Sequence, residues 1–171
     1  MSKEKIEVII TGGTIDSFYD GTQDTVAPLA NSVVPEFIMS LKTDYDFLFT
    51  QVCMKDSRSL NKKDLDHVLK TIQESPSKFF IITHGTYTMP DSARFLEVNL
   101  KIKDQVIILT GSLIPLTGFS PSDAPFNLGF SIASLPNLEP GVYVCMNGQV
   151  FNPKEVVKRL SEGKFVSIFN K

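Results

Sequence analysis

Residues 6–16 read Ile-Glu-Val-Ile-Ile-Thr-Gly-Gly-Thr-Ile-Asp, and this stretch indicates both a fold and a site. The β-branched run at 6–10 predicts a buried strand. Gly12 and Gly13 allow a sharp turn and leave backbone N–H groups open to a ligand, because glycine has no Cβ. Thr14 then presents a hydroxyl at the carboxyl end of the strand, where open α/β sheets bind ligands. The same residues also fit a plain strand followed by a glycine turn, so residues elsewhere in the chain are needed to choose between the two interpretations.

The composition is that of an ordinary soluble globular protein. The chain has 171 residues, 42% hydrophobic and 21% charged, which predicts one domain over residues 1–171. A formal net charge of −2 argues against a nucleic-acid partner. No apolar run approaches the roughly 20 residues that cross a bilayer, and the first residues lack the apolar core of a signal peptide.

The two cysteines carry little functional signal. Cys53 and Cys145 both lie in apolar, strand-like runs and form no metal-binding motif. We interpret them as a buried, reduced pair in a cytoplasmic protein. The sequence therefore predicts no metal site.

Strands and helices alternate along most of the chain. The predicted strands are 6–10, 46–54, 78–83, 105–110 and 141–146, and the predicted helices are 34–42, 61–74, 90–101 and 124–135. This alternation predicts an α/β fold: a mostly parallel sheet with helices on both faces, in three layers. His67 lies beside the apolar stripe of the second helix and is interpreted as a helix-surface residue.

Two segments are less regular. Residues 17–32 show no clear periodicity, which predicts either a lid over Thr14 that carries Tyr19 or a disordered surface loop. Near the other end, 150–151 could pair as a hairpin with the preceding strand. Asn152 would cap a last helix with Pro153 at its first position, and 165–169 would form a final strand.

Hydroxyl-bearing turns follow several of the predicted strands, and the carboxyl ends of parallel strands share one edge. Such turns beside flexible glycine backbone suit nucleophile and oxyanion roles in acyl transfer. His84 is a candidate base, but a histidine at a strand end is equally often structural. Neither a dinucleotide fingerprint nor a phosphate loop is present. The hydroxyl-bearing groups are Thr14, Asp56-Ser57, Thr86-Tyr87-Thr88 and Ser112.

These residues resemble the bacterial-type L-asparaginases and glutaminases. Residues 11–15 (Thr-Gly-Gly-Thr-Ile) resemble the family signature TGGTI, and 84–89 (His-Gly-Thr-Tyr-Thr-Met) resemble HGTDTM. Weaker matches follow at 109–112, 122–128 and 144–158. The resemblance implies the fold of the asparaginase N-terminal domain.

The resemblance also implies roles for individual residues. Thr14 would be the acyl nucleophile, and Lys158 would polarise Thr86. Ser57 would hold the α-carboxylate of the substrate. Without the family, Lys158 reads as a solvated lysine near the end of a helix, where the dipole favours a cation. The other implied substrate-binding positions are Gly13, Asp56, Gly85 and Tyr87.

Two departures from the family pattern bear on activity. Tyr87 stands where the family has an aspartate that binds the ammonium group of the substrate and orients the lysine. A phenol is neutral near pH 7 and supplies no counter-charge. The chain also ends at Lys171, about where the first domain of the family gives way to a second, which completes the active site across a subunit interface.

The sequence therefore predicts an asparaginase-like amidohydrolase that cleaves a small amide through an acyl-enzyme on Thr14 and uses no cofactor. The alternative is a catalytically impaired member that binds a small carboxylate, an amino acid or a protein partner at the same edge. A generic nucleotide-binding sheet would explain the fold but not the clustered hydroxyls. We expect a homo-oligomer, a dimer that closes the site.

Overall fold

The computed structural model describes residues 3–101 and 103–169, which contain ten strands and four α-helices. The helices are α1 (Val34–Ser40), α2 (Lys62–Glu74), α3 (Met89–Asn99) and α4 (Ala124–Ser134). The strands are β1 (Lys5–Gly12), β2 (Ser17–Asp20), β3 (Thr25–Pro28), β4 (Asp46–Lys55), β5 (Phe79–Thr83), β6 (Val106–Thr110), β7 (Gly141–Met146), β8 (Gln149–Phe151), β9 (Val156–Arg159) and β10 (Lys164–Ser167).

Six strands form the central sheet in the order β4-β1-β5-β6-β7-β8. All neighbours are parallel except β7 and β8, which form the predicted antiparallel hairpin. Every residue of β5 and β6 is buried, as expected for strands covered on both faces. The carboxyl ends of β1, β5 and β6 consequently lie side by side.

Alternate residues of the strands supply two separate cores. Ile81 and Ile108 belong to the core that includes residues of α1 and α4. Ile82 and Leu109 belong to the opposite core, with residues of α2, α3, β9 and β10. The sheet is therefore the middle of three layers, and the predicted α/β fold is confirmed.

The segment 17–32 is more ordered than its composition predicts. Strands β2 and β3 pair as an antiparallel hairpin, and Asp20 closes the turn by accepting hydrogen bonds from Thr22. Ser32 and the Val33 amide donate to the buried Asp16 carboxylate, which anchors the far end of the segment. The alternative of a disordered surface loop was wrong, because short exposed strands carry little periodic signal.

The predicted last helix is also wrong. The chain turns at 152–155 and then forms β9, which pairs antiparallel with β10, so the predicted final strand exists. Asn152 does accept a hydrogen bond from the Lys154 amide at 2.9 Å, as a helix cap would. The β-branched pair Val156-Val157 continues as strand instead, since it gains a partner in β10. Lys158 thus lies on a strand, and the helix-dipole interpretation of it does not apply.

Two minor predictions concern single side chains. His67 is exposed on α2, as predicted. Cys145 is buried and Cys53 half-buried, and both are free thiols. Burial raises the pKa of both thiols to about 11, so they are protonated and unreactive near neutral pH.

Candidate active site

A cavity of about 230 Å³ lies at the carboxyl edge of the sheet. Turns after β1, β4 and β5 form most of its wall, and β9 adds one side chain from outside the sheet. The structure therefore brings together most of the residues proposed from the sequence. The lining consists of Thr14, Asp56, Ser57, Arg58, Gly85, Thr86, Tyr87 and Lys158.

Two glycines bring the three turns into direct contact. Gly13 has φ +90°, and a Cβ there would lie 2.5 Å from the backbone of Gly85. A Cβ on Gly85 would in turn lie 2.7 Å from Cβ of Ser57. Gly13 also donates its amide to the carbonyl of Lys55 at 2.9 Å. Gly13 is not among the lining residues, and its conformation positions Thr14 at the start of a short 3-10 helix.

Lys158 and Thr86 form the central polar contact. Nζ of Lys158 donates to Oγ1 of Thr86 at 2.6 Å, although the two residues are 72 positions apart. Thr86 is buried and Lys158 half-buried. Burial lowers the pKa of the Lys158 ammonium, and repulsion from Arg58 lowers it further while Asp56 opposes both. An ammonium of reduced pKa beside a hydroxyl is suited to proton transfer.

Asp56, Ser57 and Arg58 form a second polar group in the cavity wall. Arg58 donates twice from its guanidinium to the Asp56 carboxylate, at 2.9 and 3.1 Å. These bonds hold the pKa of Asp56 below its ordinary value. The hydroxyl of the buried Ser57 accepts from the Thr88 amide at 3.3 Å, and the Thr88 hydroxyl donates to the Ser57 carbonyl at 3.0 Å.

Arg58 is the site residue that sequence reasoning missed. Its guanidinium carbon lies 5.7 Å from the centre of the Tyr87 ring, within the range of a cation–π contact. Tyr87 is 55% exposed and lies at the cavity mouth. The one feature of the sequence that could have indicated Arg58 is its position, because it directly follows Ser57 in the turn after a predicted strand.

His84 does not line the cavity. Its ring is buried, with Nδ1 at 2.7 Å from the carbonyl oxygen of Gly85 and no partner for Nε2 among the described residues. Desolvation lowers its pKa to about 4, so the ring is neutral at physiological pH. These contacts favour the structural interpretation of His84 over a role as base.

Two other sequence candidates lie away from this cavity. Ser112 is buried and donates to the carbonyl of Ile114 at 2.6 Å. Tyr19 is exposed on β2, where its hydroxyl donates to Asp24, and it is not part of the cavity wall. The lid role of Tyr19 remains a prediction.

Over residues 3–101 and 103–169, no cluster of three His, Cys, Asp or Glu side chains is arranged to hold a metal ion. In the same residues, no helix has the length and apolarity that a membrane crossing requires.

Comparisons with known proteins give the family of this chain. The family described as "Asparaginase, N-terminal" matches residues 5–166. L-asparaginase 2 of Escherichia coli is 30% identical over 161 residues, which cover 90% of this chain and 46% of that protein. The glutaminase-asparaginase of Acinetobacter glutaminasificans is 28% identical over 170 residues, covering 93% of this chain and 51% of the relative. The chain thus spans about half the length of the curated relatives it matches.

Solved structures give the same result. A probable cytoplasmic L-asparaginase from Campylobacter jejuni superposes with a TM-score of 0.82 at 28% identity, covering 98% of this chain and 54% of that one. The thermostable L-asparaginase from Thermococcus kodakarensis superposes with a TM-score of 0.81 at 27% identity, covering 98% of this chain and 52% of that one. By sequence and by fold, this chain belongs to the asparaginase family, and what it matches there is the N-terminal part.

Proposed function

We propose that this chain hydrolyses a small amide through an acyl-enzyme intermediate on Thr14. The observation that carries the proposal is the 2.6 Å contact of Lys158 with Thr86 in the cavity that Thr14 and Ser57 also line. Family membership adds support, because the relatives are named for asparagine and glutamine hydrolysis. The proposed substrate class is therefore a small carboxylic acid with an amide at its far end.

The chemistry divides into two steps. Thr14 Oγ1 attacks the amide carbon and gives its proton to Oγ1 of Thr86, the carbon–nitrogen bond breaks, and Thr86 passes its own proton to the nitrogen, which leaves as ammonia. Water then attacks the threonine ester, releases the acid and restores the hydroxyl. The Lys158 ammonium withdraws charge from Oγ1 of Thr86, which makes the Thr86 proton a better donor to the leaving nitrogen.

Ser57 and the glycine turns would hold the substrate. The Ser57 hydroxyl is buried at the cavity wall, where it can donate to a carboxylate. Gly85 lines the cavity, and because it has no side chain Ser57 can pack directly against it. Gly13 would contribute indirectly, by placing Thr14.

A second function is favoured by one observation. Tyr87 places a neutral ring where the family signature has a carboxylate, and this change removes a partner for both substrate and lysine. A protein of this fold that binds a small carboxylate, an amino acid or a protein partner without turning it over would tolerate the change. We place it second, because it assigns no role to the Lys158–Thr86 contact.

Replacement of Thr14 tests the proposal directly. Ammonia release from a panel of amides, including asparagine and glutamine, is measured for the unmodified chain, Thr14→Ala and Thr14→Ser. We expect Thr14→Ala to lose more than about a thousandfold in kcat/KM, and Thr14→Ser to keep measurable activity because it keeps a hydroxyl. Thr71→Val, a change on the remote helix α2, controls for nonspecific effects. No ammonia from any amide, or equal rates with Thr14→Ala, would contradict the enzyme and leave the binding protein.

The domain organisation, the cellular compartment and the oligomeric state of the chain are also proposals. We propose that the described residues form one domain, since both cores share a single sheet. We further propose a cytoplasmic homodimer. Two free thiols and a relative named as probably cytoplasmic support the compartment, and the open mouth of the cavity supports the dimer.

A further inference from the structure

Carboxylates around the site are already engaged. Asp56 is held by two hydrogen bonds from Arg58. A neighbouring cavity of about 280 Å³ shares Tyr87 and Lys158 with the first, and its carboxylate, Asp91, pairs with Arg94 at 3.0 Å. Among the described residues that line the two cavities, each carboxylate therefore has an arginine partner.

Cations in the first cavity outnumber the carboxylates. Arg58 and Lys158 face it together with Asp56, so the lining carries one more positive than negative charge. Within the described chain, Lys158 has a hydroxyl partner and no carboxylate within ion-pair distance. A bound carboxylate is favoured in such surroundings, whereas an ammonium group is repelled by the excess positive charge and meets only a carboxylate that is already paired with Arg58.

Tyr87 reinforces this selection. Its ring lies 5.7 Å from the guanidinium carbon of Arg58, so the arginine is held over the cavity mouth by both Asp56 and the ring. The Tyr87 side chain offers an ammonium group a hydroxyl and a ring face, but no carboxylate. The Arg58 side chain is 66% exposed, and its guanidinium has five N–H donors, of which two are used by Asp56.

We infer that this site selects amides that carry a carboxylate but no ammonium group, the ω-amic acids of which succinamate is the simplest four-carbon case. This inference rests on the proposed function. The reaction consumes succinamate and water and yields succinate and ammonia: the Thr14 oxygen displaces nitrogen from the amide carbon, and water then displaces Thr14. The carboxylate at the other end lies against Arg58 and Ser57.

The kinetic test compares substrates and variants that differ in one charge. The ratio of kcat/KM for succinamate over asparagine is measured in the unmodified chain, in Tyr87→Asp and in Tyr87→Asn, which matches aspartate in size but is neutral. We expect a ratio of roughly 10 to 100 in the unmodified chain, the range of one charge-assisted hydrogen bond. The ratio should stay above one in Tyr87→Asn and fall below one in Tyr87→Asp. A preference for asparagine in the unmodified chain would overturn the inference and leave the amidohydrolase standing.

A binding measurement separates specificity from turnover. Calorimetry with the Thr14→Ala variant compares succinate with aspartate, and we expect succinate to bind at least about tenfold more tightly. Tyr87→Asp in the same background should remove that advantage. If no amide is turned over but these affinities hold, the catalytic proposal fails and the selectivity stands. Equal affinities, or tighter aspartate, would overturn the selectivity whether or not the chain is an enzyme.

The role of Arg58 has its own control. Arg58→Gln should weaken succinate binding by about tenfold or more, because the guanidinium is the cation at the cavity mouth. Lys62→Gln removes a charge that is paired with Asp66 on α2 and lies outside both cavities, so it should leave the affinity unchanged. Equal affinity in Arg58→Gln and the unmodified chain would contradict the assigned carboxylate site.

Discussion

His84 is a buried titratable residue in the structural frame of the site. It lies between β5 and the turn that carries Gly85 and Thr86, and its amide donates to the Thr110 carbonyl at 2.9 Å. Its ring approaches the Gly85 carbonyl through Nδ1 while Nε2 has no described partner. A charge on this ring would be buried without a counter-ion. Folding therefore requires the neutral form.

This requirement predicts an acid-dependent loss of stability. In the folded chain the pKa of His84 is about 4, against an ordinary value of 6.5. As pH falls below 6.5, His84 becomes protonated in the unfolded chain, whereas in the folded chain it stays neutral until about pH 4. The free energy of unfolding should drop by up to roughly 3 kcal/mol across that window. Below about pH 4, His84 should cause no further decrease.

Urea unfolding at pH 7 and pH 4.5 measures the effect, with His84→Asn as the matched variant, because the asparagine amide can replace the Nδ1 contact with Gly85. The variant should lose the part of the pH dependence that comes from His84. The pKa of Asp16 is raised by burial and acts in the opposite sense, so only the difference between the two proteins is diagnostic. The same slope in both would show that His84 is not the titrating group.

At the scale of elements, the site depends on how closely the strand-end turns approach one another. Gly13 lies against Gly85, and Gly85 lies against Ser57. Side chains at the two glycines would push the turns after β1, β4 and β5 apart. The glycines thus act on the shape of the cavity as well as on local backbone conformation.

Two glycine-to-alanine changes should have opposite effects on stability. In Gly13→Ala, a Cβ would lie 2.5 Å from backbone atoms at φ +90°, and we expect destabilisation on the order of 3 kcal/mol with loss of activity. Gly129 is exposed within α4, and a Cβ there meets nothing within 4 Å. Gly129→Ala should stabilise by about 0.5–1 kcal/mol, because alanine is the better helix former. Thermal unfolding and ammonia release measure both, and an active Gly13→Ala of unchanged stability would contradict the packing argument.

At the scale of the molecule, the cavity is open to water. The side chains of Arg58 and Asp56 are 66% and 43% exposed, and Tyr87 lines the same mouth. Proton transfer and ester hydrolysis gain from a site that excludes bulk water. A second copy of the chain seated over the mouth would supply that exclusion, which is why we propose a dimer.

The proposed dimer would make activity depend on protein concentration. Light scattering after gel filtration should give the mass of two chains of 19.0 kDa each. Ammonia release per chain should fall when the protein is diluted below the dissociation constant, since separated chains expose the cavity. Carrier protein in the buffer controls for adsorption. A monomer mass together with constant activity per chain across the dilution series would contradict the proposal.

The sequence by itself determined the central sheet and the edge at which the site lies. Runs such as Phe79-Phe80-Ile81-Ile82 bury side chains on both faces, and that pattern is local to each strand. The Thr-Gly-Gly-Thr turn follows the predicted strand directly, so the position of Thr14 at the carboxyl edge could be predicted from the adjacent residues. Resemblance to the family added Lys158 and the roles of Thr86 and Ser57.

Only the tertiary structure decided how distant segments complete the site. Asn152-Pro153 begins as a helix would, but β10 offers Val156 and Val157 a strand partner, and β9 then carries Lys158 to Thr86. The placement of Arg58 over Tyr87 likewise joins two turns that are far apart in the chain. Local patterns report the preferences of a few adjacent residues, whereas these contacts depend on pairing energies between segments that meet only in the folded protein.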